Sequence, residues 1–240
     1  MDRSVVFDFL GSFVFWDLAY IAIIISGAVN KKSTQVGIPI FAVLVNYSLE
    51  IAAVVNHSNF IGFSWFVLDS LIVYLILTKQ DIKHNKRKCL SYLSFLIVLT
   101  IIFYLVFRNG GIPVTVASFL IDMTMAVSFV LQFKHIDPSN RVLIGLLKFL
   151  GDACVWIAYA DIHFSVTLFS SIAFVCNIIY LIFAVREAKE HPEINREYKE
   201  NLRSFLEEVR IFFQNMKQSR NKEIVHRKKR KKKKVKKTHR

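Results

Sequence analysis

Seven stretches of mostly apolar residues, 9–29, 37–55, 60–77, 90–107, 112–133, 142–159 and 164–185, follow one another through the chain. Each approaches the roughly 20 residues that an α-helix needs to cross a bilayer. Nothing in lipid can hydrogen-bond an exposed backbone, so such stretches cross as helices that satisfy their own amides and carbonyls. The connections at 30–35, 56–59, 108–111 and 137–140 are short and carry Asn, Gly, Pro, Ser and charge. Short polar connections imply that successive helices run antiparallel. The expected fold is an all-α bundle of seven transmembrane helices.

The same chain is 54% hydrophobic and carries a formal net charge of +14. Apolar and charged residues must therefore occupy separate segments, which excludes an ordinary soluble globule. Residues 227–240 hold eleven Lys and Arg and no acid, so most of the excess charge belongs to a tail. The first stretch lacks a preceding basic region and an A-x-A-like cleavage site, so it is expected to remain as a helix. Cys89, Cys154 and Cys176 lie far apart with no C-x-x-C pair and read as structural.

Basic residues alternate between connections. Lys31 and Lys32 follow the first helix, Lys79, Lys83, Lys86, Arg87 and Lys88 the third, and Lys134 and Arg141 the fifth; the intervening loops hold only Arg108. The positive-inside rule then places the N-terminus outside and the tail in the cytosol. Three regions follow: a membrane domain over 1–185, a charged juxtamembrane helix over 186–222, and a disordered polybasic tail over 223–240. In the second, Tyr198, Leu202, Phe205, Leu206, Val209, Phe212, Phe213 and Met216 recur at helical steps, the mark of an amphipathic helix lying on the inner face. The lysine run repels itself and fits an anionic lipid surface. A nucleic-acid role is the weaker reading, because no folded reader or interleaved aromatic accompanies the run.

Five of the expected spans carry a carboxyl: Asp17, Glu50, Asp69, Asp122 and Asp152. At about 1.5 Å per residue each lies roughly 9–15 Å below the outer edge of its span. Any one of them could be satisfied singly, as by Lys148 one turn from Asp152. Five at one level point instead to a polar cavity, since intramembrane acids usually mark functional interiors. A poorly solvated carboxyl favours its protonated form and becomes a candidate general acid. An aromatic stands one turn from each acid: Tyr20, Tyr47, Trp65, Phe119 and Trp156 beside Asp17, Glu50, Asp69, Asp122 and Asp152 respectively. Aromatic faces attract cations, although ordinary packing explains such neighbours in a chain that is 14% aromatic.

Other chemistry lacks its residues. There is no D-D-x-x-D stretch for magnesium and a diphosphate, no Walker loop and no H-E-x-x-H, and the histidines fall in loops, at helix ends or in the tail. No cofactor or metal is expected.

The stretch from Lys32 through Pro39, then Ala42, Asn46 and Glu50, followed by Trp65, Asp69 and Tyr74, resembles the small seven-helix membrane-bound terpene cyclases of fungal meroterpenoid and indole-diterpene pathways and their bacterial relatives. Trp16, Tyr20 and Ser26 upstream, and Ser128, residues 141–151 and residues 177–180 downstream, are also similar. The likeness covers about residues 10–185 and is specific in the first three helices. It implies metal-free protonation of an epoxide or alkene in a prenylated, hydrophobic isoprenoid substrate, followed by cationic ring closure. It makes Glu50 and Asp69 the expected catalytic acids. Trp16, Asp17, Tyr20, Asn46, Tyr47, Trp65, Asp122, Asn177 and Tyr180 become the expected substrate contacts. The family's second acid, in the last helix, falls on Asn177, and its tryptophan before the glutamate falls on Leu49.

Two other classes fit the layout. A small transporter of three-plus-one-plus-three helices would account for Phe66-Val67-Leu68-Asp69 matching Phe174-Val175-Cys176-Asn177 in the third and seventh spans. A non-catalytic scaffold would act through its basic tail.

Overall fold

A computed structural model describes residues 3–30, 35–56, 61–79, 85–109, 114–159 and 164–238. The described residues are helical, without strands. Helix α1 (Arg3–Asp8) runs through a π-helical stretch, Phe9–Phe15, into α2 (Trp16–Val29). Then follow α3 (Ile40–Val55), α4 (Ile61–Lys79), α5 (Lys86–Arg108), α6 (Val114–Leu131), a 3-10 turn at Phe133–His135, α7 (Arg141–Tyr159), α8 (Phe164–Glu190) and α9 (Pro192–Thr238). Each of the seven apolar stretches thus contains one of these helices, although 37–39 lead into α3 outside it and Gln132 is a turn after α6. Four helical stretches, Val5–Val29, Arg87–Arg108, Arg141–Tyr159 and Val166–Glu190, are long and apolar enough to cross a membrane. Ile40–Val55 and Val116–Leu131 are shorter apolar helices. Lys31, Lys32 and Lys83 of the basic loops lie outside the described residues.

Local chemistry sets the helix ends. Pro39 sits extended before α3, where its missing N–H costs nothing. Asn85 caps α5 by accepting from the Lys88 amide at 3.2 Å. Asn140, before α7, takes a left-handed φ of 63°, which asparagine tolerates better than most residues.

The core gathers Ile23, Ile38, Val43, Ile72, Phe129, Ile144 and Tyr180 from six helical segments and the connection before α3. Helix α8 packs on α6 and α7, α2 packs on α4 and α7, and α3 packs on α4 and α5. Helix α5 stands at the edge of the bundle and leaves Leu93, Ile97, Val98, Ile101 and Ile102 about half exposed. An apolar stripe of that length belongs against lipid rather than water.

The basic connections meet at one end of the bundle. Asn30 Nδ2 donates to Asp137 Oδ2 at 3.0 Å and to Ser139 Oγ at 3.1 Å, while Lys79 Nζ donates to the Asn30 carbonyl. Buried Arg141 binds Glu187 at 2.5 Å and the carbonyls of Ile136 and Asp137, with its guanidinium 4.2 Å above the Phe133 ring.

Residues 199–240 form a separate compact unit. It is the remainder of α9, with Leu206, Ile211, Phe212, Phe213 and Met216 exposed. Helix α9 runs to Thr238.

Candidate functional site

Two clusters of polar side chains lie inside the bundle. The first is built around Asn46 on α3. Its Nδ2 stands 2.9 Å from Glu50 Oε1, 2.7 Å from Asp69 Oδ2 on α4 and 3.3 Å from the Tyr20 hydroxyl on α2. Glu50 lies one turn below Asn46, so both point the same way from α3. Asp69 is fully buried and Glu50 is 3% exposed. The Glu50 and Asp69 carboxyls thus share one amide donor, while Glu50 Oε2 and Asp69 Oδ1 have no hydrogen-bond partner among the described residues. Tyr20 closes the cluster on its other side, with its hydroxyl 3.9 Å from Met125 Sδ.

The second cluster centres on Asp152 of α7. Trp16 Nε1 donates to its Oδ1 at 2.9 Å, and Asn177 Nδ2 on α8 donates to its Oδ2. Two N–H donors on one carboxylate make it a well-held acceptor. Gly151 makes room for this, because a Cβ there would collide with the Trp16 indole. At Gly11, in the π-helical stretch, a Cβ would come within 2.8 Å of the Gly151 carbonyl. These two glycines let the first helix ride close on α7, which brings Trp16 to Asp152 across 136 positions of sequence. π-Helical turns are rare and often sit at functional sites.

A cavity of about 30 Å³ opens between the clusters. Trp16, Tyr20, Phe129, Asp122, Lys148 and Asp152 line it, with Asn177 and apolar side chains. The Lys148 amine lies 4.1 Å above the Phe129 ring centroid. The volume accommodates a water molecule or two. Among the described residues no group of three His, Cys, Asp or Glu side chains could hold a metal ion.

Of the expected site residues, Glu50, Asp69, Asn46 and Tyr20 form the first cluster. Trp16, Tyr20, Asp122 and Asn177 line the cavity, so Tyr20 belongs to both. Trp65 stands beside Trp16, ring centroids 5.7 Å apart, and its Nε1 donates to the Ser12 carbonyl at 3.3 Å while also reaching the Asp17 carboxyl. Asp17 thus adjoins the site without lining the cavity. Tyr47 turns away, stacked on Phe66 and bonded to Ser70 at 3.0 Å. Tyr180 is fully buried but packs between Phe129 and Phe133 toward the basic end. Trp156, one turn from Asp152, is 40% exposed and bonds Ser171, so the aromatic that serves Asp152 is Trp16. Asp152 and Lys148 make no direct ion pair among the described residues; they face a common cavity instead. Lys148 is the member that local sequence reasoning left as a mere neighbour, although a lysine well inside an apolar span was its signal.

No family model, no curated protein and no solved structure matches this chain.

Proposed function

We propose that the chain crosses a membrane seven times, with its N-terminus outside and its basic tail in the cytosol. Within that membrane it works as a terpene-cyclase-like enzyme on a prenylated or epoxidised isoprenoid, by metal-free acid catalysis. One observation carries the reading: an Asn46 amide holds the Glu50 and Asp69 carboxyls together in an apolar interior, and Tyr20 connects them to an aromatic-walled cavity. In this reading the pair holds one proton, the acid of the reaction.

In the proposed cycle that proton reaches the epoxide oxygen by way of the Tyr20 hydroxyl, which takes it from the pair as it gives up its own to the substrate, and the epoxide C–O bond breaks at the more substituted carbon. The alkene π electrons of the same substrate then form the new C–C bond. The faces of Trp16, Tyr20 and Phe129 stabilise the travelling positive charge. Loss of a C–H proton to a carboxylate ends the sequence. Asp152, fixed by Trp16 and Asn177, supplies a carboxylate near the position where the resemblance lacks the last-helix acid. The cavity as it stands is water-sized, so substrate entry requires α2, α6 and α7 to part around it.

The test is incubation of purified full-length protein in nanodiscs with an epoxyfarnesyl-substituted phenol, followed by chromatography and mass spectrometry. A product of unchanged mass and new retention supports the reading, and the same product from Glu50→Gln at full rate overturns it. A second reading, a proton-coupled transporter, draws on the small volume of the cavity and the Asp122, Lys148 and Asp152 groups that line it. Glu50-dependent solute uptake driven by a proton gradient in proteoliposomes, with no isomerised product, would decide for it.

A further inference from the structure

Two larger grooves flank the C-terminal turns of α8, far larger than the inner cavity. One, about 620 Å³, runs between α8 and the end of α6, floored by Val130, Leu131, Phe133 and Phe183. The other, about 570 Å³, lies on the opposite flank over Leu181, Ile182 and Val185. Both fall within the roughly 300–1,000 Å³ of small-molecule sites. They share one rim, Arg186 and Glu190. The floors are apolar and open: Leu131 is 77% exposed and Ile182 59%. Above the floors the lining turns basic, with Lys134 and His135 on the first groove and Lys189 on the second.

The acids at this rim are already engaged. Glu187 is held by buried Arg141 at 2.5 Å. Glu190 pairs with Arg186 at 2.8 Å, but both side chains are exposed, and an exposed pair of this kind is weak and readily exchanged. An arginine fork prefers a bidentate anion such as phosphate. Among the described residues Lys134 and Lys189 have no ion-pair partner. The unspent charge at the rim is therefore positive, and it stands where apolar helix gives way to charged helix, the level of a lipid headgroup when α8 spans the membrane.

We propose that these two grooves seat one anionic phospholipid, its phosphate on Arg186 between Lys134 and Lys189, and one acyl chain in each groove. A free phosphate would leave both apolar floors uncovered. The site is separate from the acid clusters and from the polybasic tail. Lipid bound there would brace α6 against α8, the two helices that carry Asp122 and Asn177 into the cavity.

The experiment is native mass spectrometry of the full chain in detergent with equimolar 1-palmitoyl-2-oleoyl phosphatidic acid, phosphatidylcholine or inorganic phosphate. A one-to-one adduct with phosphatidic acid, outcompeting phosphatidylcholine, is expected. Lys134→Gln with Arg186→Gln, both surface changes, should lower that adduct on the order of tenfold while deletion of residues 227–240 leaves it in place. Leu131→Glu, which puts a charge on the first floor, should lower it as well. The proposal fails if phosphatidylcholine binds equally, if phosphate alone competes as well as the lipid, if a co-purified peptide occupies the site, or if tail deletion removes the adduct that the double variant keeps. Glu50 variants should not alter the adduct, so this outcome stands apart from that of the cyclase assay.

Discussion

The two polar clusters are built from similar residues yet differ in kind. Around Asn46, the carboxyls of Glu50 and Asp69 share one amide donor and line no part of the cavity between the clusters. Around Asp152, each carboxylate oxygen has a separate N–H donor, and the cluster borders open space that also admits Lys148 and Asp122. In the proposed cycle that difference makes the first cluster the proton source and the second the substrate contact.

The largest effect should come from attacking that division at Glu50. Glu50→Gln keeps shape and hydrogen bonding but removes the acidic proton, and should cost on the order of 100- to 10,000-fold in turnover. Asp69→Asn should follow. Asp122→Asn should change KM more than kcat, the sign of a binding contact. Equal collapse of kcat in Asp122→Asn and Glu50→Gln would dissolve the comparison.

Next in size is Gly151→Ala. The added methyl meets the Trp16 indole and must push it off Asp152, an overpacking cost of about 3 kcal/mol in thermal or denaturant unfolding. Gly37→Ala serves as the contrast, because its Cβ would meet only ordinary contacts at 3.6 Å. If both glycines tolerate alanine alike, the tight approach of the first helix to α7 is wrong.

Asn46→Leu removes the shared donor and leaves two buried carboxyls facing each other, a destabilisation of about 2 kcal/mol. Asn177→Leu should cost less, since Trp16 still serves Asp152. The smallest effect belongs to the tail: deleting residues 227–240 should move bundle stability by less than about 0.5 kcal/mol. A larger loss would show that α9 does more for the bundle than its separate compact unit implies.

The helices were legible because apolar runs of span length leave the backbone one way to satisfy itself. The pairing of Asn46 with Glu50 was legible too, since four residues apart on a helix means the same face. Asp69 could be expected near them from its matching depth in the third span and from the resemblance, not from spacing along one helix. The second cluster was hidden for a physical reason: local spacing pairs Asp152 with Trp156, yet Trp156 faces outward and the donor comes from Trp16 across a glycine contact. Tertiary approach of two small residues leaves no periodic trace.

The two hydrogens of the Asn46 amino group reach one oxygen each of Glu50 and Asp69, while Glu50 Oε2 and Asp69 Oδ1 have no donor among the described residues. In the proposed cycle a single hydrogen held between the two carboxyls closes that shortfall, and spending it on a substrate reopens it. Under that reading the cluster is a counter set to one: it discharges once, and must be reloaded before it can act again. A ring closure that ends by giving a C–H proton to Asp152 returns to the protein what it took, so the proposed reaction draws no net acid from either side of the membrane once that proton is passed back to the pair.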